Sequence, residues 1–275
     1  MDRYCVIGNP VAHSRSPWIH ARFAELTGQA LHYDRLLVEP GGFAQAVAAL
    51  RAAGARGCNV TVPFKFEAAG LATQTTARGR LAGACNTLRF DGDAVCADNT
   101  DGVGLVRDIE RNAGVGLHSA DVLLIGAGGA AAGVLGPLLQ ALPRRIVLAN
   151  RTAGRATALA QRHAALAAQH GVELTGVALD AVAGDFGVVV NATAASLAGS
   201  SVPVAASVLR PGALACDMMY GPAAREFIDW AARHGAIPRD GLGMLVEQAA
   251  EAFLFWRGVR PPSATVLAEL RALVP

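Results

Sequence analysis

Lysine is nearly missing from this chain: Lys65 is the only one, and arginine supplies almost all of the remaining positive charge. A lone lysine is not a solubility device, so its position needs its own explanation. Charge of any kind is sparse, with charged residues at 17% and a net charge of +2, which gives no electrostatic case for nucleic acid or a membrane surface as partner. Cysteines are few and scattered (Cys5, Cys58, Cys85, Cys96, Cys216), odd in number and without C-x-x-C spacing. That argues against a disulfide framework or a zinc site and favours free thiols in a reducing compartment. His13 and His20 lack a cysteine or acidic partner at ligand spacing, so no metal is expected. No apolar run reaches the ~18 residues of a membrane span. The start, "MDRYCVIGNP", goes straight into a strand without a basic and apolar leader. The expectation is a cytoplasmic protein. No repeat of ~20–50 residues stands out.

What is there is apolar and α/β in pattern. A 275-residue chain that is 52% hydrophobic folds, and its length favours two domains. "RYCVIG", a helix from Pro17 to Thr27, "LHYDRLLV", an Ala-rich helix from Gly42 to Ala53 and "GCNVTV" alternate as strand and helix, which implies a parallel sheet. In the last of these strands Cys58, Val60 and Val62 alternate with polar neighbours, the pattern of a half-buried strand. "TLRF" and "AVCA" flank Asp91-Gly92-Asp93 as a hairpin, and a helix is expected from near Asp101 to about Asn112. A second α/β run follows, with strands at Val122 to Ile125, Arg145 to Ala149, Val188 to Asn191 and Leu214 to Asp217. A helix is expected over Thr152 to Gly171, and two more over Gly243 to Trp256 and Ser263 to Leu273.

The second run opens with "VLLIGAGGAAAG", which puts Gly126, Gly128 and Ala131 at G-x-G-x-x-A spacing between an apolar strand and a helix. Such glycines make a tight turn and let backbone N–H groups and a helix N-terminus approach a pyrophosphate. The spacing alone is weak evidence in an Ala/Gly-rich chain, and its context carries it. The next strand ends "VLANRT". An NAD site would put an acid there for the ribose hydroxyls. Asn150, Arg151 and Thr152 stand in its place, and an arginine pairs with a 2′-phosphate and stacks on adenine, which favours NADP.

Hydride transfer to a ketone also needs a proton donor. Lys65, just past the third strand, and Asp101 in "DNTDG" are suitable. Taken alone, Asp101 reads better as an N-cap. Lys65 has an alternative as an exposed charge, which its place at a helix start disfavours. In "HSRSP" the hydroxyls of Ser14 and Ser16 precede a helix and could bind a carboxylate. Ser16 reads equally as an N-cap before Pro17. Asn59 reads as a tie between neighbouring loops.

"GNPVAHSRSP", "NVTVPFK", "GACNT", "DNTDG", "GAGGAA", "NRT", "DMMYGP" and "GLGMLVEQAAEAFLFW" occur in this order across nearly the whole chain. Together they resemble the shikimate dehydrogenase family. The resemblance implies NADPH-dependent reduction of 3-dehydroshikimate to shikimate in aromatic amino-acid biosynthesis. It implies two α/β domains flanking a cleft. Residues 1–101 with 242–275 would form the substrate-binding catalytic domain, and 102–241 an NADP-binding Rossmann domain. By matching motif, Lys65 and Asp101 are the catalytic pair, and Ser14 and Ser16 hold the substrate carboxylate. Thr61, Asn86, Tyr220 and Gln248 contact the ring hydroxyls or the carboxylate region. Gly126, Ala127, Gly128, Gly129 and Ala130, with Asn150, Arg151 and Thr152, bind NADP, and Thr193, Met218 and Gly241 lie near its nicotinamide half. A small-molecule substrate is the expected partner, with a homodimer as the expected assembly where one forms. The chain departs from the family pattern at Ala21, at Ala194 and in "YGPAAREF" after Tyr220, which bears on fine specificity. A paralogue that accepts quinate or prefers NAD is the near alternative, and a non-catalytic NADP-binding sensor the distant one.

Overall fold

Residues 1–193 and 202–273 are described in a computed structural model of the chain. They divide into two compact units, one of Met1–Gly104 with Leu245–Leu273 and one of Leu105–Met244.

The first unit runs β1 (Asp2–Gly8), α1 (Ser16–Thr27), β2 (Leu31–Leu37), α2 (Phe43–Ala52), β3 (Gly57–Val60), α3 (Lys65–Leu71), β4 (Gln74–Thr75), α4 (Ala77–Ala82), β5 (Thr87–Asp91), β6 (Ala94–Asp98) and the start of α5 (Asp101–Arg107). Its sheet has the order β2-β1-β3-β5-β6-β4. The strands read from the strand–helix alternation, β2, β1 and β3, are parallel as expected, and the expected β5–β6 hairpin is antiparallel and joins them through β5, which also runs antiparallel to β3, so the sheet as a whole is mixed. The tight hairpin at Gly92-Asp93 forces the β5–β6 reversal, because a parallel pair would need a long crossover.

The expected half-buried strand at 57–62 needs correction. Only Gly57–Val60 pair as strand, and all four residues are buried. With β1 on one side and β5 on the other, β3 is interior, so Cys58 and Val60 face one layer while Asn59 is covered on the other. Val62 lies outside the strand and is 50% exposed. One core layer gathers Ile7, Phe43, Phe64, Cys58, Leu88 and Val95. The opposite face is aromatic. Trp256 of α9 (Leu242–Arg257) stacks on Tyr4 with ring centroids 4.6 Å apart, and its indole N–H donates to Leu88 O at 2.9 Å. Each fully buried apolar side chain of the first layer, such as Phe43 or Leu88, contributes ~1.5–3 kcal/mol. The C-terminal α10 (Ser263–Leu273) is tied to α1 by the Arg22–Glu269 ion pair at 2.8 Å.

The second unit begins with one wide helical turn at Asp108–Asn112. It continues through β7 (Asp121–Ile125), α6 (Gly129–Gln140), β8 (Arg145–Asn150), α7 (Ala153–His170), β9 (Glu173–Ala178), β10 (Phe186–Asn191), β11 (Leu209–Asp217), α8 (Arg225–Arg233) and β12 (Ile237–Arg239). All its strand pairs are parallel, in the order β12-β11-β10-β7-β8-β9. That is the doubly wound dinucleotide-binding order, with its reversal between β7 and β10. Successive residues of β7 enter different cores, Val122 and Leu124 one layer, Leu123 and Ile125 the other. The near-continuous apolar runs read from sequence follow from burial on both faces.

All five cysteines are free and buried, and burial pushes the Cys5 thiol up to about 12. Among the described residues no helix is long and apolar enough to cross a membrane.

Candidate active site

Four candidate residues of the first unit meet in one hydrogen-bonded group. Lys65 and Asp101 follow the carboxyl ends of β3 and β6, Asn86 precedes β5, which starts at that same sheet end because it runs the other way, and Gln248 comes from α9. Lys65, the first residue of α3, places Nζ 2.5 Å from Asp101 Oδ2, and the two side chains are only 15% and 7% exposed. Asp101 Oδ1 accepts from Asn86 Nδ2 at 2.8 Å. The same amide nitrogen lies 2.9 Å from Thr100 Oγ1 and 3.2 Å from Gln248 Oε1, so its two hydrogens serve three acceptors. Gln248, on α9, donates from Nε2 to Leu245 O at 2.8 Å, which turns its carbonyl toward Asn86.

This arrangement decides between the alternatives left by the sequence. Lys65 is not an exposed surface charge. Asp101 is not a cap: it stands in the first turn of α5 with both carboxylate oxygens taken by Lys65 and Asn86. The capping work falls to Asn99, whose Oδ1 accepts from Asp101 N at 3.1 Å and whose Nδ2 donates to Ala84 O at 2.7 Å. Asp98 anchors the segment by accepting from Thr76 Oγ1 at 2.6 Å and from Arg78 Nε at 2.7 Å. Each residue of "DNTD" thus has a separate task in aiming one carboxylate.

Ser16 is not the N-cap either. Arg15 occupies that position without a side-chain cap bond, Pro17 sits in the first turn, and Ser16 belongs to the helix. Its hydroxyl lies 3.2 Å from that of Ser14, and both residues are buried. Arg35 of β2 secures the loop by donating from Nε and Nη2 to Ser14 O, at 2.9 and 2.6 Å. Paired hydroxyls at the N-terminus of a twelve-residue helix suit an anion. Thr61, half-buried just past β3, shares this sheet end.

Reading the sequence missed Thr87, Thr100 and the reach of Asn59. Asn59 ties strands rather than loops: Oδ1 accepts from Tyr33 on β2, and Nδ2 donates to Asn86 O and to Thr87 Oγ1. The only signal was its position in a strand too short for an unexplained amide. His20 of α1 is fully buried and stacks on Tyr33 with centroids 4.3 Å apart. Burial pushes its pKa down to about 3, with the Asn59 side chain acting in the other direction. Among the described residues no cluster of His, Cys, Asp or Glu side chains forms a metal site.

In the second unit the Gly126 loop lies at the β7/β10 reversal. Gly126 has φ +115°, and a Cβ there would sit 3.0 Å from Ala192 O, so the turn requires glycine. Gly128 caps α6 with no side-chain bond, and no atom lies within 4 Å of where its Cβ would be. With Ala127, Gly129 and Ala130 around it, the helix N-terminus offers bare N–H groups and open space, which a pyrophosphate fits. At the end of β8, Asn150 Nδ2 donates to Thr152 O at 3.0 Å, and Thr152 caps α7. Arg151 is exposed. No acid stands there to repel a 2′-phosphate. Thr193 follows β10 and bonds to Asn191 Oδ1 at 2.8 Å, and Asn191 in turn holds Asp217 at 2.9 Å. Met218 follows Asp217, and its N–H reaches Asn191 O at 3.0 Å. Gly241 is packed against this end: its N–H donates to Met219 O at 2.8 Å, and a Cβ would come within 2.4 Å of Met218 O. Tyr220 is half-buried beyond them. Ala194 lies outside the described residues.

Three family models match the chain. They are the shikimate dehydrogenase substrate binding domain at residues 6–88, shikimate/quinate 5-dehydrogenase at 108–199 and the shikimate 5′-dehydrogenase C-terminal domain at 241–271. A curated shikimate dehydrogenase (NADP(+)) from Acidovorax sp. (strain JS42) is 67% identical over 273 residues, 99% of this chain and 97% of its own length. Among solved structures, an Ael1 enzyme from Pseudomonas putida is 43% identical with TM-score 0.88, covering 98% of each chain. Shikimate 5-dehydrogenase from Thermus thermophilus, in complex with NADP(H) and shikimate, is 29% identical with TM-score 0.85 over 100% of both chains. With its folded units, its Lys65–Asp101 pair and its full-length relatives taken together, this chain belongs to the shikimate dehydrogenase family.

Proposed function

We propose that this protein catalyses the reversible NADPH-dependent reduction of 3-dehydroshikimate to shikimate, the step that serves chorismate and aromatic amino-acid biosynthesis. It is an oxidoreductase acting on a CH–OH group. The observation that carries the chemistry is the ion pair of the sole lysine, Lys65, with Asp101 at 2.5 Å. Full-length relatives named for NADP and shikimate support the choice of cofactor and substrate.

Bound NADPH supplies the hydride. The residues of the chain then manage a proton and an anion. Lys65, as an ammonium, donates a proton to the oxygen on C3 of the substrate and stabilises the negative charge that develops there. Asp101 orients Lys65 through their ion pair. In the reverse direction a neutral Lys65, with Asp101 beside it, takes the hydroxyl proton. Ser14 and Ser16 receive the substrate carboxylate at the α1 N-terminus.

Thr61, Asn86, Gln248 and Tyr220 contact ring hydroxyls or the carboxylate region. Asn86 and Gln248 already bond to Thr100 and to each other, so a substrate hydroxyl exchanges one bond for another. A site built on such exchanges rejects analogues that lack a hydroxyl, because buried polar groups would be left unpaired. The Gly126–Ala130 loop takes the pyrophosphate, and Asn150, Arg151 and Thr152 the 2′-phosphate side. Thr193, Met218 and Gly241 flank the nicotinamide.

The purified protein is expected to reduce NADP⁺ with shikimate far faster than with quinate. Comparable turnover on quinate, or a faster reaction with NAD⁺, would move the assignment to the quinate/shikimate paralogue.

A further inference from the structure

Behind the Lys65–Asp101 pair runs a chain of buried hydrogen bonds whose every donor can be assigned. Two backbone groups, which have no choice of role, fix it. Asn86 O accepts from the Asn59 side chain at 3.1 Å, so the atom making that bond is Nδ2 and the other amide atom is the oxygen. Thr100 N–H donates to the Asn86 side chain at 2.9 Å, so the receiving atom is Oδ1.

The remaining directions follow. Tyr33 O–H must donate to Asn59 Oδ1, at 2.7 Å. Asn59 Nδ2 donates to Thr87 Oγ1 at 3.0 Å, so the Thr87 proton points onward to Asn86 Oδ1, also at 3.0 Å. With its oxygen so occupied, Asn86 turns Nδ2 to Asp101 Oδ1 at 2.8 Å. That oxygen accepts from the amide, and the other, Oδ2, is the one that faces Lys65. Thr87 and Thr100 are fully buried, Asn86 is 3% and Asn59 6% exposed, so no water competes for these bonds.

We propose that Thr87 is a positioning residue which, with Asn59 and Tyr33 behind it, orients the Asn86 amide and thereby holds the Asp101 carboxylate with Oδ2 aimed at Lys65. Thr87 touches neither reacting atom. It acts through Asn86, and the inference rests on the functional reading above.

The test uses the full-length protein with shikimate and NADP⁺. Thr87→Val keeps the shape and removes the hydroxyl. It is expected to lower kcat roughly tenfold, about the worth of one hydrogen bond feeding a charged group, with KM for shikimate changed less than about threefold. Thr87→Ser, which keeps the hydroxyl, is expected to restore kcat to within about threefold of the original. Tyr33→Phe, an isosteric change at the far end, should lower kcat in the same direction by a smaller factor, and it serves as the second variant where Thr87→Val does not fold. Unchanged kcat in the folded variants, a loss confined to KM, or failure of serine to rescue would each overturn the proposal.

A readout independent of turnover separates this from the functional assignment. In ¹⁵N-labelled protein the Asn86 side-chain N–H₂ should exchange slowly with solvent, and ~tenfold faster in Thr87→Val. Equal exchange rates overturn the positioning role. Slow exchange in a protein that does not turn over shikimate overturns the functional reading and leaves the orientation of Asn86 standing.

Discussion

Lys65 Nζ and Asp101 Oδ2 lie 2.5 Å apart although the residues are 36 positions apart in sequence. One side chain enters from the start of α3 and the other from the start of α5. Replacing Lys65 by Ala removes the proton donor and leaves the Gly126 loop untouched. Turnover of shikimate should fall by at least ~100-fold, within the range general acid catalysis contributes. The dissociation constant for NADP⁺, read by calorimetry, should change less than about twofold. Near-normal turnover in this variant would refute the proposed chemistry.

Arg151 tests the choice of cofactor. It is exposed at the end of β8, where no acid is present to hold a ribose hydroxyl. Arg151→Ala should weaken NADP⁺ binding roughly tenfold or more, because a charge-assisted contact to phosphate is lost. NAD⁺ binding, measured in parallel, should barely move. Equal losses for both cofactors would place Arg151 away from the 2′-phosphate.

His20 sets an acid limit on stability. Burial lowers its pKa from 6.5 to about 3. Between these values the unfolded chain binds a proton that the folded chain does not. The contribution is therefore full above pH 6.5 and is lost as pH falls, by up to ~1.4 kcal/mol for each unit. His20→Phe preserves a ring against Tyr33 and should flatten that part of the pH dependence, read from urea unfolding between about pH 4 and 7. An unchanged slope would assign the acid sensitivity to other groups.

Gly241 is constrained by neighbouring backbone. A methyl group there would press on Met218 O at 2.4 Å and Met219 O at 3.0 Å, and carbonyl groups at a strand end cannot rotate away as a side chain can. Gly241→Ala is expected to cost ~1–3 kcal/mol of stability, typical of overpacking. It should also weaken NADP⁺ binding, since Met218 moves with its backbone. Calorimetric unfolding with and without NADP⁺ measures both effects, and a variant as stable as the parent would contradict the close approach.

The sequence made some of these relationships legible and concealed others for physical reasons. The Gly126 turn and the missing acid after Ala149 were readable because loop conformation and phosphate recognition both depend on residues adjacent in the chain. The long helices α7 and α9 were readable from composition and period. The two-residue β4 and three-residue β12 were not, since elements so short are defined by their neighbours in the sheet. The same holds for β3, whose alternation suggested one wet face until β1 and β5 closed around it. The roles of Thr87 and Thr100 were hidden because they rest on pairings such as Asn86 with Gln248, 162 residues apart. The motifs around them marked the place, and only the fold gave the direction of each bond.

The scarcity of lysine has a practical consequence for watching this site. Reductive methylation with ¹³C-formaldehyde would label one ε-amino group in the whole chain, that of Lys65, beside the chemically distinct N-terminal amine. Its NMR resonance would come without overlap from any other lysine. The chemical shift would follow the pairing with Asp101 through a titration with shikimate or NADP⁺, so composition alone has placed a single spectroscopic reporter at the centre of the proposed chemistry.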